Sequence, residues 1–176
     1  VDGEGHFFFF TYNGTIARFI PGPVNPANGE WQTMKPTNGG RGIAVDEDGW
    51  VYFVDTTGNA DIWVIDPATF PAEESATPIY LDAPNNNAQE GTGVALDFNG
   101  HIWGVSRWGC ENDNGCAFRW QLDRSAGGIP VPAEASDVVT VGEGVYSYSD
   151  MTGYSLRNFA SNEGWYSHVF SVCENQ

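Results

Sequence analysis

The side chains best suited to chemistry are concentrated in one loop. The loop reads Arg107-Trp108-Gly109-Cys110-Glu111-Asn112-Asp113-Asn114-Gly115-Cys116. Arg107 and Trp108 could clamp a ligand or stack on it. The carboxylates of Glu111 and Asp113 could hold a divalent cation such as Ca²⁺ or Mg²⁺. Long loops on a rigid scaffold often carry function, but a loop without a binding role is the alternative.

Cysteine spacing bears on the same loop and on the compartment. Cys110 and Cys116 bracket a run of turn-forming residues, so they are expected to close as a local disulfide. Of the 3 cysteines, this leaves Cys173, which could be a free thiol or could pair outside this chain. We therefore expect a secreted or cell-surface protein.

The remaining titratable residues favour structural roles. His6 and His101 occupy equivalent places after a turn glycine and are expected to cap strand ends. Asp46 and Asp97 lie in turns, where aspartate accepts backbone hydrogen bonds. Arg41, in Gly39-Gly40-Arg41-Gly42, could contact a ligand or form an ion pair within the fold. The chain contains no Gly-x-Ser-x-Gly motif, and its glycine-rich stretch leads into a strand, which argues against a phosphate-binding loop.

Charge restricts the classes of partner. The formal net charge of −16 disfavours nucleic acid and anionic membranes, because like charges repel. No apolar run approaches the roughly 18 residues that a membrane-spanning helix needs. A small molecule, a glycan or a protein is the expected ligand.

A repeat predicts the elements that position these residues. Four segments share an Asp-x-x-Gly turn followed by an aromatic or histidine and an apolar run, with the aspartates at Asp2, Asp46, Asp97 and Asp150. The steps of 44, 51 and 53 residues suit one β-propeller blade of four antiparallel strands. We therefore predict an all-β fold over residues 1–176, with blade motifs near residues 1, 45, 96 and 149. Pro- and Asn-rich stretches, such as Pro21–Asn28, are expected to connect blades.

The repeat also resembles a known group. The pattern Gly-x-Ala-Val/Leu-Asp-x-x-Gly-x-x-aromatic is similar to the blades of streptogramin (virginiamycin B) lyase-like and NHL-type propellers, from residue 1 to about residue 160. The resemblance implies a propeller with a metal held by His and Glu at one mouth of its channel. The family's histidine positions correspond here to Arg41, Thr92 and Val145, and of two strand segments only Asp55 keeps the family carboxylate. No catalytic residue is carried over, and Arg41 and Asp55 become candidate ligand contacts.

Three functions follow as hypotheses. The first is an extracellular binding or scaffold module. The second is a metal-dependent lyase whose catalytic residues lie on blades outside this sequence, and the third is a structural subunit of an extracellular assembly. Because a propeller closes with 4–8 blades, three to four blades imply a partial ring, which further chain or several copies would complete.

Overall fold

The architecture consists of antiparallel sheets, each formed largely by consecutive strands. The computed structural model describes residues 1–46, 48–57, 62–72, 76–79, 88–97, 99–125, 128–132 and 138–145. The predicted fourth motif at residues 149–156, as well as Arg157 and Cys173, lies outside these residues. The all-β prediction is confirmed for the described part of the chain.

Three larger sheets follow one another along the sequence, and we number them I to III. Sheet I contains β1 (Phe7–Phe10), β2 (Ile16–Ile20) and β3 (Glu30–Met34). Sheet II contains β4 (Gly40–Val45), β5 (Val51–Asp55), β6 (Ile62–Ile65) and β7 (Ala76–Ile79). Sheet III contains β8 (Gln89–Leu96), β9 (Ile102–Trp108), β10 (Gly115–Trp120) and β13 (Val138–Gly142). A small hairpin of β11 (Leu122–Asp123) and β12 (Val131–Pro132) is inserted between β10 and β13.

The Asp-x-x-Gly segments form the turns that the sequence predicts. In each, the backbone N–H of the glycine donates to the carbonyl of the aspartate, at 3.2, 3.1 and 3.0 Å for Gly5, Gly49 and Gly100. These glycines have φ values of 85°, 85° and 78°, a region that favours glycine because it has no Cβ. Strong turn residues between apolar runs therefore explain why β4 pairs with β5 and β8 with β9.

Side-chain alternation along the strands builds a core between successive sheets. On β5, Val51 and Phe53 pack with Ile16 and Met34 of sheet I, and the Phe53 ring lies 5.2 Å from that of Phe10. The opposite face of sheet II packs against sheet III through a second apolar cluster, whose members include Tyr52, Ile62, Val64, Val94, Ile102 and Phe118. Sheet II is thus covered on both faces, which agrees with the continuous apolar run Val51-Tyr52-Phe53-Val54 in β5.

One prediction about connections is wrong, and one loop differs in its bounds. Pro21–Asn28 does not connect successive sheets, because it lies within sheet I, between β2 and β3. Asn25 caps a 3-10 turn there by accepting a 3.1 Å hydrogen bond from the N–H of Ala27. The loop that contains Cys110 and Cys116 lies between the second and third strands of sheet III as predicted, but it is shorter, since β9 continues to Trp108 and β10 begins at Gly115.

Candidate functional site

Strand pairing places the candidate residues at two opposite ends of the sheets. The turn end carries the Asp-x-x-Gly turns. The loop end carries the starts of β4 and β8, the ends of β5 and β9, and the connection between β9 and β10. Arg41, Asp55, Arg107 and Trp108 therefore all lie toward the loop end.

A β-bulge recurs at the loop end of the first strand of sheets II and III, β4 and β8. In sheet II the pairing shifts between Gly40–Asp55 and Ile43–Phe53, and in sheet III it shifts between Gly91–Ser106 and Gly93–Val105. An extra residue in one strand locally bends it and redirects a side chain. The bulges place Arg41 and Thr92 at equivalent positions, as their places in the repeat predict.

Arg41 is paired with an exposed aromatic ring. Its guanidinium carbon lies 5.3 Å from the ring centroid of Tyr12, which is 71 % exposed. A guanidinium over a tyrosine face is a favourable cation–π arrangement. Asp55, at the end of β5, instead stabilises its own turn by accepting hydrogen bonds from the Thr57 N–H at 2.8 Å and hydroxyl at 2.7 Å.

A second arginine–aromatic pair lies at the same end. The guanidinium carbon of Arg107 lies 5.1 Å from the Trp108 ring centroid. Nη1 of Arg107 donates a hydrogen bond to Oε2 of Glu90 at 3.1 Å. Glu90 has a φ of 51°, which is uncommon for a residue with a side chain. Backbone strain of this kind concentrates at functional sites, so it marks Glu90 as a candidate site residue. The indole of Trp108 borders Gly144, where an added Cβ would lie 3.1 Å from it.

The connection between β9 and β10 is closed by a disulfide. Cys110 and Cys116 are bonded, with their Cα atoms 6.0 Å apart, as the spacing predicts. Glu111 and Asp113 lie on an exposed 3-10 turn within this loop. Within the described ranges, no three His, Cys, Asp or Glu residues form a group able to hold a metal ion. Ca²⁺ or Mg²⁺ at Glu111 and Asp113 stays a prediction.

At the turn end, each aspartate organises its neighbours. Oδ1 of Asp2, Asp46 and Asp97 accepts the N–H of the residue four positions later, at 2.9, 2.8 and 3.0 Å. His6 and His101 complete this arrangement, because their Nδ1 atoms contact Oδ2 of Asp2 at 2.8 Å and of Asp97 at 3.0 Å. The histidines thus stabilise turns, which agrees with their expected capping role.

A buried network links sheets II and III through Asp46, which is 7 % exposed. Its Oδ2 accepts hydrogen bonds from the Tyr52 hydroxyl at 3.0 Å and from Nη1 of Arg124 at 2.6 Å. Nη2 of Arg124 also donates to the Tyr52 hydroxyl oxygen at 3.1 Å. Burial, followed by the charge of Asp46, raises the pKa of Tyr52, so this phenol stays protonated.

A cleft of about 490 Å³ opens at the turn end between sheets I and II. Its walls include Asp2, Glu4, His6, Arg18, Asp48 and Pro67. The sequence analysis missed this cleft, because Arg18 lies in no motif and because Asp2 and Asp48 read as ordinary turn residues. The recurrence of an acidic residue two positions after each of Asp2 and Asp46 was the available signal.

Arg18 is held in the wall of the cleft by sheets I and II together. Its Nε donates to Oε1 of Gln32 at 3.0 Å, and its terminal nitrogens reach the carbonyls of Pro67 and Phe70, each at 3.4 Å. The guanidinium carbon also lies 4.6 Å from the Phe70 ring centroid. Burial lowers the pKa of Arg18, and the charges of Asp2 and Glu4 oppose that shift.

The described part of the chain contains no helix with the length and apolar character of a membrane span. Comparison of the sequence with protein-family models and with curated proteins finds no match.

Proposed function

We propose that this chain is a propeller-type extracellular binding module whose ligand surface is the loop end. Two observations support the propeller arrangement. Sheets II and III are successive four-stranded antiparallel sheets, and sheet II packs face to face against sheet I on one side and sheet III on the other. The Cys110–Cys116 disulfide supports an oxidising compartment. A rigid stack of sheets would present the loop end as a preorganised surface.

One observation carries the binding role. Two arginine–aromatic pairs, Arg41 with Tyr12 and Arg107 with Trp108, lie at the same end as a glutamate held at a φ of 51°. Aromatic faces supply apolar contact, while guanidinium and carboxylate groups supply several hydrogen bonds each. This combination suits a ligand with both apolar faces and many hydroxyls.

A neutral oligosaccharide fits these requirements best. The net charge of −16 repels polyanionic glycans, whereas sugar rings offer C–H faces for stacking and hydroxyls for hydrogen bonding. The test titrates the full chain with cellohexaose, mannohexaose and chitohexaose, and follows tryptophan fluorescence and backbone amide shifts. We expect saturable binding of at least one probe with shifts near Tyr12 and Trp108.

Tyr12→Ala provides the decisive variant, because Tyr12 is largely exposed and its loss should not disturb the core. Removal of one stacking face should weaken binding roughly tenfold. Val24→Ala is the matched control, since Val24 is 96 % exposed and precedes β3 at the turn end. Binding that Tyr12→Ala leaves unchanged, or the absence of binding by all three probes, would contradict the loop-end proposal for glycans.

A structural subunit is the second candidate, and exposed sheet faces favour it. On the outer face of sheet I, Phe9 and Trp31 are 49 % and 58 % exposed, and their rings lie 5.7 Å apart. Val139 and Val141 on β13 of sheet III are 59 % and 54 % exposed. Exposed apolar surfaces of this kind commonly serve as contacts between molecules.

A further inference from the structure

At the junction between sheets II and III, two turn carboxylates pair with a guanidinium group of the chain itself. Arg124 enters from sheet III and places Nη1 2.6 Å from Oδ2 of Asp46 and 3.9 Å from Oδ2 of Asp48. Arg124 follows Asp123, whose Oδ1 accepts the N–H of Ser125 at 2.8 Å. The turn of one sheet and the loop of the next thus form a slot for a guanidinium group.

The junction between sheets I and II repeats the slot with a different loop residue. Asp2 and Glu4 are equivalent in the repeat to Asp46 and Asp48, because each pair supplies the first and third residues of an Asp-x-x-Gly turn. The facing loop begins with Asp66, whose Oδ1 accepts the N–H of Ala68 at 2.8 Å, just as Asp123 does for Ser125. Pro67 follows this aspartate as Arg124 follows Asp123, and it lines the cleft together with Asp2 and Glu4.

A proline cannot supply the cation, and the cleft of about 490 Å³ is present at this junction. Three carboxylates, those of Asp2, Glu4 and Asp48, lie in its walls. His6 contacts two of them, with its Nδ1 2.8 Å from Oδ2 of Asp2 and its Nε2 3.6 Å from Oε2 of Glu4. The walls also contain the guanidinium of Arg18. That guanidinium is already engaged by Gln32 and by the carbonyls of Pro67 and Phe70. The side chains of Glu4 and Asp48 are 81 % and 68 % exposed, so a ligand can reach them.

We propose that this cleft binds a guanidinium or primary ammonium group of a ligand, in the place that Arg124 takes at the next junction. The site is separate from the loop end and goes beyond the function proposed for it. The cation comes either from a free small molecule or from an arginine or lysine side chain of a partner protein.

The experiment titrates the full chain with arginine amide, N-acetylated so that the side chain carries its only charge, and follows the backbone amide shifts of Glu4, Gly49 and Ala68. Citrulline amide, N-acetylated in the same way, is the matched control, because it is nearly isosteric but carries no charge. We expect saturable shifts with arginine amide and much weaker ones with citrulline amide. A peptide with one arginine flanked by glycines tests the second source: tighter binding of this peptide indicates a protein partner, and equal binding indicates a free small molecule.

Two variants make the site falsifiable. Glu4→Gln combined with Asp48→Asn should weaken binding roughly tenfold, the sum of two exposed ion pairs, whereas Glu143→Gln at the loop end should not. Pro67→Arg should supply the missing cation internally, abolish arginine amide binding and raise the melting temperature. The proposal is overturned if neither arginine amide nor the arginine peptide shows saturable binding. It is also overturned if the Pro67→Arg variant binds arginine amide as tightly as the wild type does.

Discussion

At the scale of single residues, the turn aspartates do more than reverse the chain. Asp97 accepts the N–H groups of Asn99 and His101 through Oδ1, at 2.8 and 3.0 Å, and its Oδ2 accepts the indole N–H of Trp103 at 3.0 Å. Burial would raise the pKa of Asp97, but the hydrogen bonds from Trp103, Asn99 and His101 outweigh it and lower that pKa. The charged carboxylate is therefore the form that stabilises the fold.

Asp97→Asn tests this role. The amide nitrogen would face the indole N–H of Trp103, so we expect the free energy of unfolding at pH 7 to fall by about 1–2 kcal/mol. A lowered folded-state pKa means that the contribution of Asp97 is complete above its ordinary value of 3.8 and is lost as the pH falls through the folded value. Urea unfolding from pH 7 to pH 2 should show the difference from wild type shrinking with acid. Glu111→Gln, at an exposed position, should leave stability unchanged at both pH values, and a difference for Asp97→Asn that does not depend on pH would contradict the assignment.

At the scale of elements, the first strands of sheets II and III, β4 and β8, approach each other at backbone distance. A Cβ added at Gly42 would lie 2.8 Å from the nitrogen of Val94 and 2.9 Å from the Cα of Gly93. Both neighbours are backbone atoms that cannot rotate away. The contact brings the two bulged strands together, so Gly42 is required for the geometry of the loop end.

Gly42→Ala should therefore destabilise the fold by about 1–3 kcal/mol through overpacking. The same substitution should weaken any ligand bound at the loop end, because it displaces the bulge that carries Arg41. Chemical denaturation measures the first effect. Gly128→Ala is the matched control, since a Cβ there meets no atom within 4 Å. Equal stabilities of the two variants would show that the strands can separate without cost.

At the scale of the whole molecule, the outward faces of the stack decide whether copies associate. Positions equivalent to Phe7 and Phe9 of sheet I are Val51 and Phe53 of sheet II, which are fully buried against sheet I. Phe9 is instead 49 % exposed. Sheet I thus presents outward the kind of face that sheet II buries.

Trp31→Glu should consequently reduce self-association. The ring of Trp31 lies 4.8 Å from that of Phe19 and 5.7 Å from that of Phe9, so a charge there would interrupt the exposed aromatic cluster. Sedimentation velocity over a concentration series should show wild-type association that this variant weakens by about tenfold. Val24→Glu is the control, with the same added charge at a residue that is 96 % exposed. A wild-type chain that stays monomeric throughout the series would exclude the structural-subunit hypothesis for this chain.

The sequence predicted what depends on local patterns. The Asp-x-x-Gly turns, the apolar strands around them and the Cys110–Cys116 pair could be predicted, because their signals are short and strong. β3 was missed, since Glu30-Trp31-Gln32-Thr33-Met34 offers little apolar alternation. The Arg124–Asp46 contact and the cleft beside Pro67 depend on how neighbouring sheets meet, and no pattern within one repeat encodes that.

The packing of each sheet against its neighbours along the chain has a consequence for energetics. Both described apolar clusters join successive sheets, so stability is approximately a sum of terms for single sheets and for the interfaces between them. As long as the stack is not closed into a ring, duplication of one repeat adds one sheet and one interface without repacking the others. Lineages carrying this repeat could therefore change length by whole units, while the ligand groups at either end of each new sheet diverge independently.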